Sequence, residues 1–137
     1  ALQEVMERVF VDTSLWYAYI NTSDRDHTKA RRLIKKYGGR LVTSNFVFDE
    51  TITLCLYDFG HGVARQVGSV LLNPIAVSLV KVSGEDEVAA WELFLKRSDK
   101  IYSFTDCTSF TLMKRLGLHQ AASLDADFAR EGFEMLT

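Results

Sequence analysis

The stretch "RVFVDTSLWYAYI", Arg8 to Ile20, decides the fold. Val9, Phe10 and Val11 are β-branched or aromatic and read as a short buried strand. The run ends on Asp12, and an ionised carboxylate is rarely buried without a partner. Thr13 and Ser14 supply hydroxyls and a turn, after which Leu15, Trp16, Ala18, Tyr19 and Ile20 predict a largely apolar helix. A strand that hands over to a helix through an acid leaves a carboxylate at the tip of a core strand.

The same β-then-α rhythm continues outward from this unit. Ser23 precedes "DRDHTKARRLIKKY", a helix with Ala30, Leu33, Ile34 and Tyr37 at helical spacing, closed by Gly38 and Gly39. A second strand is expected over Leu41 to Thr43. The segment "SNFVFDETITLCLYDF", Ser44 to Phe59, is too long and too densely apolar for a strand in a small domain, so it reads as a helix despite its β-branched Thr51, Ile52 and Thr53. Then follow a helix over His61 to Leu72, a strand over Ala76 to Val80, and a helix "GEDEVAAWELFLKRS" capped by Ser83. Ile101 to Phe104 is expected as a strand, Cys107 to Leu116 as a helix ending at Gly117, Ala121 to Leu124 as a strand and Phe133 to Leu136 as an edge strand. The fold class predicted is α/β: a three-layer α/β/α sandwich with a mostly parallel central sheet and right-handed crossovers. In such sheets ligands bind beyond the carboxyl ends of the strands.

The 137 residues, 47% of them hydrophobic, suit one domain, taken as residues 6–137. Residues 1–5 read as a short extension ahead of a start at Met6. A net charge of -2 gives no global attraction for nucleic acid, so any such binding has to come from a local patch. Cys55 and Cys107 lie outside any metal or disulfide pattern and read as small core residues in a reducing cytoplasm. The sequence shows neither a signal-peptide pattern nor an apolar run approaching the ~20 residues of a membrane span.

Three acids take equivalent positions in this scheme: Asp12 after the first strand, Asp106 after "IYSFT" and Asp125 after "AASL". Glu50, about a turn and a half into the helix after the second strand, can lean back over the same edge. Singly, each acid has a simpler account as a helix cap, a turn residue or a solvated helix face. Together they would form a cluster of like charges that raise one another's pKa and call for a cation. An all-oxygen donor set favours Mg²⁺ or Mn²⁺, and a metal that acidifies water and stabilises phosphoryl charge suits phosphodiester hydrolysis.

At these residues the sequence resembles the PIN-domain family of metal-dependent ribonucleases. The likeness runs in order through "VFVDTS", "SNFVFDET", "SFTDCTSFTLMKRLG" and "AASLDADFAREGF", from Val9 to Phe133, and is greatest to the toxins of VapC-type toxin–antitoxin pairs and their stand-alone relatives. The resemblance implies that Asp12 and Asp106 are principal metal ligands, that Glu50 and Asp125 are the other two acids, and that Ser14 supports the first. Ser123 stands where the family often has threonine, and "SLDADF" offers Asp127 as an alternative to Asp125. It further implies an RNA substrate, an antitoxin protein and a homodimer.

Arg25, Lys29, Arg31, Arg32, Lys35, Lys36 and Arg40 form the strong basic stretch, readable as a solvated helix face or as an RNA phosphate track through Arg31, Arg32, Lys35 and Lys36. Glu85, Asp86 and Glu87 against Lys96 and Arg97 read as dipole-matched helix ends, and His27, His61 and His119 as packing or capping residues. Trp16, Tyr17, Tyr19, Tyr57 and Phe59 read mostly as core, with a partner groove as the alternative. Other classes fare less well. A phosphatase with Asp12 as nucleophile would want a second acid where Ser14 stands, and no GxGxxG follows the first strand to bind a nucleotide cofactor. A stand-alone RNA-processing nuclease and a non-catalytic metal-binding or interaction module stay open.

Overall fold

A computed structural model describes residues 7–137; the expected extension over residues 1–5 and the start at Met6 lie outside the described residues. The elements are β1 (Val9–Val11), α1 (Thr13–Ile20), α2 (His27–Lys36), β2 (Leu41–Ser44), α3 (Asn45–Phe59), α4 (His61–Leu71), β3 (Ser78–Val80), α5 (Gly84–Lys96), α6 (Phe104–Leu116), β4 (Gln120–Ala122), α7 (Asp127–Arg130) and β5 (Glu134–Met135). The strands form one parallel sheet in the order β3-β2-β1-β4-β5. The chain first moves from β1 through β2 to β3, then reverses to β4 and β5. With right-handed crossovers, that order puts α1 to α4 over one face and α5 to α7 over the other. The reversal leaves a crevice between the carboxyl ends of β1 and β4, the switch point at which such sheets take ligands.

Alternation along β1 feeds both faces, with Val9, Phe10 and Val11 all wholly buried. Ala121 and Ala122 of β4 are small, and beside them Phe110 of α6 stacks edge-on against Phe128 of α7 at 4.9 Å between ring centroids. Phe10 and Phe133 complete this aromatic layer. On the other face α3 and α4 pack closely at Gly68, where an added Cβ would stand 3.3 Å from Ile52 Cδ1.

The helix expected over Ser44 to Phe59 forms, with Ser44 Oγ accepting from Val47 N. Its β-branched residues are tolerated in a helix that buries Val47, Thr51 and Cys55 along one face, a case of packing overriding propensity. The strand expected over Ile101 to Phe104 does not form. Ile101 is fully exposed, Tyr102 turns inward, and Ser103 caps α6, which starts at Phe104 rather than at Cys107. The spacing Ser103 to Asp106 is a capping box, a helix-start signal that outweighs the strand propensity of isoleucine, tyrosine and phenylalanine. Two smaller differences are the later start of α2 at His27, after turns over 21–26, and the short helix α7, hidden in the sequence by its length.

Candidate active site

Three helices begin at the carboxyl edge of the sheet. α1 and α3 start directly after β1 and β2. α6 ends at Gly117, just before β4 begins at the amino edge, and its 13 residues carry its start roughly 20 Å back toward the carboxyl edge. Their amino ends surround a cleft of about 220 Å³ lined by Asp12, Thr13, Ser14, Val47, Glu50, Leu54, Thr105, Asp106, Ser109 and Asp125. The expected acids Asp12, Glu50, Asp106 and Asp125 therefore meet in one place. Asp106 arrives there by a different route from the one expected: it is the third residue of α6, held by the Ser103 capping box, and follows no strand.

Asp12 caps α1 and is almost fully enclosed. Its Oδ1 accepts from Ser14 Oγ at 2.8 Å and from Leu15 N at 3.2 Å, while Oδ2 accepts from Ser123 Oγ at 2.8 Å. Each hydroxyl also accepts: Ser14 Oγ from Leu124 N at 3.0 Å, and Ser123 Oγ from Asp125 N at 2.9 Å. The pair stitches the β1–α1 junction to the segment after β4 and thereby sets Asp125 beside Asp12. Burial, helped by the Asp125 charge, outweighs the three hydrogen bonds and leaves the Asp12 carboxyl pushed up to about 7.

Burial also raises the Asp106 carboxyl, with the Asp125 and Glu50 charges adding to it against the Ser103 hydrogen bonds. Asp125 is raised too, chiefly by burial; the Asp127 backbone N–H works against the rise, the Asp127 side chain adds to it and Arg130 opposes it. One oxygen each from Asp106, Asp125 and Asp127 lies within 4.8 Å of the others. Asp127 is thus close to the cluster, but it is ion-paired with Arg130, and its backbone N–H donates to Asp125 Oδ1 at 2.9 Å. The i, i+3 spacing of Asp127 and Arg130 is the signal that could have disclosed this pair.

The donor set is that of a hard cation. Among the described residues the cleft walls carry carboxylates and hydroxyls with no His or Cys, and burial above all raises Asp12, Asp106 and Asp125. Asp12, Asp106, Asp125 and Glu50, with Asp127 beside them, are the residues that could hold a hard divalent cation.

Arg31, Arg32 and Lys35 line a different groove, with Tyr19, Thr28 and Ile34. Trp16, Tyr19 and Ile20 of α1 face Val67, Val70 and Leu71 of α4 across an apolar groove, so part of the aromatic group opens to the surface; Tyr57 is 81% exposed. Asp86 is a cap, as its position suggested, and also pairs with Arg115. Nδ1 of His27 lies 2.9 Å from the carbonyl of Ala18, a packing and capping role.

The chain is similar to known proteins over nearly all of its described length. The 23S rRNA-specific endonuclease VapC20 of Mycobacterium tuberculosis, in strains CDC 1551 / Oshkosh and ATCC 25618 / H37Rv, is 37% identical over 125 residues, covering 91% of this chain and 95% of the relative. The crystal structure of M. tuberculosis VapC20, described as a Sarcin-Ricin loop cleaving toxin, superposes with a TM-score of 0.86 at 36% identity over 91% of this chain and 95% of that one. The DNA-bound VapBC structure from Salmonella typhimurium shares the fold, with a TM-score of 0.69 at 12% identity, covering 96% of this chain and 98% of that one. The PIN domain model matches residues 9–134, from the first residue of β1 to the first of β5, and with it the chain belongs to the PIN domain family.

Proposed function

We propose that the chain is an endoribonuclease dependent on Mg²⁺ or Mn²⁺ and the toxin of a toxin–antitoxin pair, with Asp12, Asp106, Asp125 and Glu50 holding the metal. The observation that carries this reading is the meeting of those acids in one cleft at the sheet's switch point. Identity of 37% to an endonuclease of 23S rRNA makes ribosomal RNA the first substrate to test. When bound, the cation supplies positive charge for the phosphodiester oxygens and makes water easier to deprotonate. The chain's own residues prepare the place. Ser14 and Ser123 fix the Asp12 carboxylate in one orientation, and Ser103 fixes Asp106. Arg130 neutralises the charge of Asp127, which favours Asp125 as the fourth ligand.

The cytoplasm is the compartment this reading requires, because ribosomal RNA is there and buried unpaired thiols at Cys55 and Cys107 suit a reducing medium. The antitoxin is a protein whose apolar segment fills the groove between α1 and α4, which shares α1 with the cleft, and whose Arg or Lys reaches the acids in place of the metal. A homodimer forms through α5. Its exposed Val88, Trp91 and Leu95 lie at i, i+3, i+7, with Glu85 and Glu87 at one end and Lys96 and Lys100 at the other, so two antiparallel copies pair apolar with apolar and acid with base.

Incubation of purified protein with 23S rRNA and Mn²⁺ tests the activity. Cleavage is expected, falling at least about a hundredfold in Asp12→Asn or Asp106→Asn, and stopping in excess chelator. Full cleavage by Asp106→Asn, or in chelator, overturns the metal site. Expression without a partner is expected to arrest growth. Cleavage without arrest points to a stand-alone processing nuclease, and neither effect points to an interaction module.

A further inference from the structure

The cationic face of α2 is not explained by the cleft. On a chain of net charge -2, seven of the basic residues fall between positions 25 and 40: Arg25, Lys29, Arg31, Arg32, Lys35, Lys36 and Arg40. Asp26 pairs with Arg25 at 3.6 Å, and among the described residues no Asp or Glu side chain lies within ion-pair distance of the others, Arg32 donating to the Thr137 main-chain oxygen at 3.2 Å. Ala30 and Leu33 anchor the helix inward while Arg31, Arg32, Lys35 and Lys36 face solvent. Arg31 with Lys35, and Arg32 with Lys36, are like-charged i, i+4 pairs that weaken a helix. The helix dipole accounts for Lys35 and Lys36 in the last turn but not for Arg31 and Arg32. The surface these residues build is concave, about 390 Å³, with Tyr19 and Thr28 set among Arg31, Arg32 and Lys35. Cations beside an exposed aromatic ring are the ordinary equipment for holding a nucleic-acid strand.

Its position separates it from the chemistry. The Arg40 carbonyl accepts from Val9 N at 2.8 Å, which fixes the end of the basic stretch at the amino end of β1; Lys36 Nζ and the Arg40 guanidinium both lie over the Tyr37 ring there. Asp12 follows the other end of β1, three residues along and about 10 Å away by strand rise. The residues lining the basic groove and the acidic cleft do not overlap. A phosphate held at α2 is therefore not the one being cleaved.

We infer that the cationic face of α2 is a second RNA-binding site, which grips the phosphate backbone of a long or folded RNA at a distance from the bond in the cleft. The inference rests on the nuclease reading for its choice of polyanion. A cleft of clustered carboxylates repels phosphate, so a remote array of unpaired cations supplies the attraction that the cleft lacks, and only RNA long enough to reach both gains from it.

The test measures binding without turnover. Asp106→Asn protein, alone and with Arg31→Gln, Lys35→Gln and Lys36→Gln added, is titrated by fluorescence anisotropy in chelator-free buffer against a hairpin RNA whose stem exceeds one helical turn and against a single-stranded oligonucleotide of about six nucleotides. Glutamine keeps helix propensity, and Arg32 keeps its bond to the Thr137 carbonyl, so folding is preserved and is verified by circular dichroism. The triple change is expected to weaken hairpin binding at least tenfold, to flatten its log–log salt slope by about 2, and to alter oligonucleotide binding less than twofold. Equal losses on both RNAs would move these cations into the cleft, and undiminished hairpin binding with an unchanged slope would return α2 to a solvated face; either overturns the inference. Should the wild-type protein cleave no RNA while the hairpin result stands, the nuclease reading fails and the second site survives.

Discussion

Asp106 shows how a carboxylate can serve two demands at once. Its Oδ2 accepts from Ser103 N and helps start α6, yet its neighbours Asp125 and Glu50 make its charge unfavourable. Neutralising it removes repulsion as well as a proposed ligand. Asp106→Asn is therefore expected to melt no lower than wild type in chelator, and to lose most of the upward Tm shift that millimolar Mn²⁺ gives the wild-type protein. Differential scanning fluorimetry with and without Mn²⁺ checks both halves; an equal Mn²⁺ shift in the variant excludes Asp106 as a ligand. At this scale the sequence was informative about identity and less so about position. Asp12 was legible because it directly follows a strand of core residues, and Asp125 because it comes soon after one, although β4 ends at Ala122 instead of Leu124 and Ser123 and Leu124 intervene. Asp106 was found for a reason that the structure replaces, since "IYSF" has strand propensity while Ser103 and Asp106 dictate a helix start. The Arg130 partner of Asp127 went unread, because its i, i+3 spacing signals a pair only once a helix is recognised and one as short as α7 leaves no periodic pattern.

The elements are joined by ion pairs placed away from the cleft. Asp86 caps α5 through Ser83 and takes the Arg115 guanidinium of α6 in a forked contact, with Arg115 Nε 2.8 Å from Oδ1 and 3.0 Å from Oδ2. On the same side Glu131 accepts from Arg97 and from Tyr102, tying the segments before α6 and after α7 together. The Arg115 hydrogen bonds hold the Asp86 carboxyl below the usual carboxylate range, outweighing the opposite effect of burial. A carboxyl lowered on folding adds stability above its unfolded pKa near 3.9, and that contribution disappears as pH falls through the folded value. Asp86→Asn is expected to cost about 1–2 kcal/mol at pH 7, a discounted figure because Arg115 is partly exposed. The gap from wild type should narrow as pH drops from 4 towards 2. Urea unfolding of both proteins across that range measures it, and a gap that widens on acidification contradicts the assignment.

For the whole molecule, the α/β/α layering was legible because each strand is a short apolar run and each helix carries its own start or stop, whereas strand order was not. Nothing in "QAA" of β4 declares that it pairs with β1 instead of β3. That pairing, made by the long return through α5 and α6, creates the switch point and leaves the outer face of α5 without a neighbour among the described residues. Trp91 and Phe94 stack on each other at 5.5 Å, and with Val88 and Leu95 they make a surface that a lone chain would leave to water. The homodimer reading assigns this surface to a second copy, and Leu95→Glu places a charge at its carboxyl end without touching the buried Asp86 and Ala90 side of the helix. Sedimentation velocity is expected to give a dimer for wild type and a monomer for Leu95→Glu, with unchanged circular dichroism. A combined Lys96→Glu and Lys100→Glu variant, which sets acid against the Glu85 and Glu87 end of the facing helix, should weaken the dimer with little effect on the monomer fold, and restoring the charge match with Glu85→Lys and Glu87→Lys in the same chain should recover it. A wild-type protein that sediments as a monomer at every concentration tested, or a dimer indifferent to both sets of changes, would take the interface away from α5.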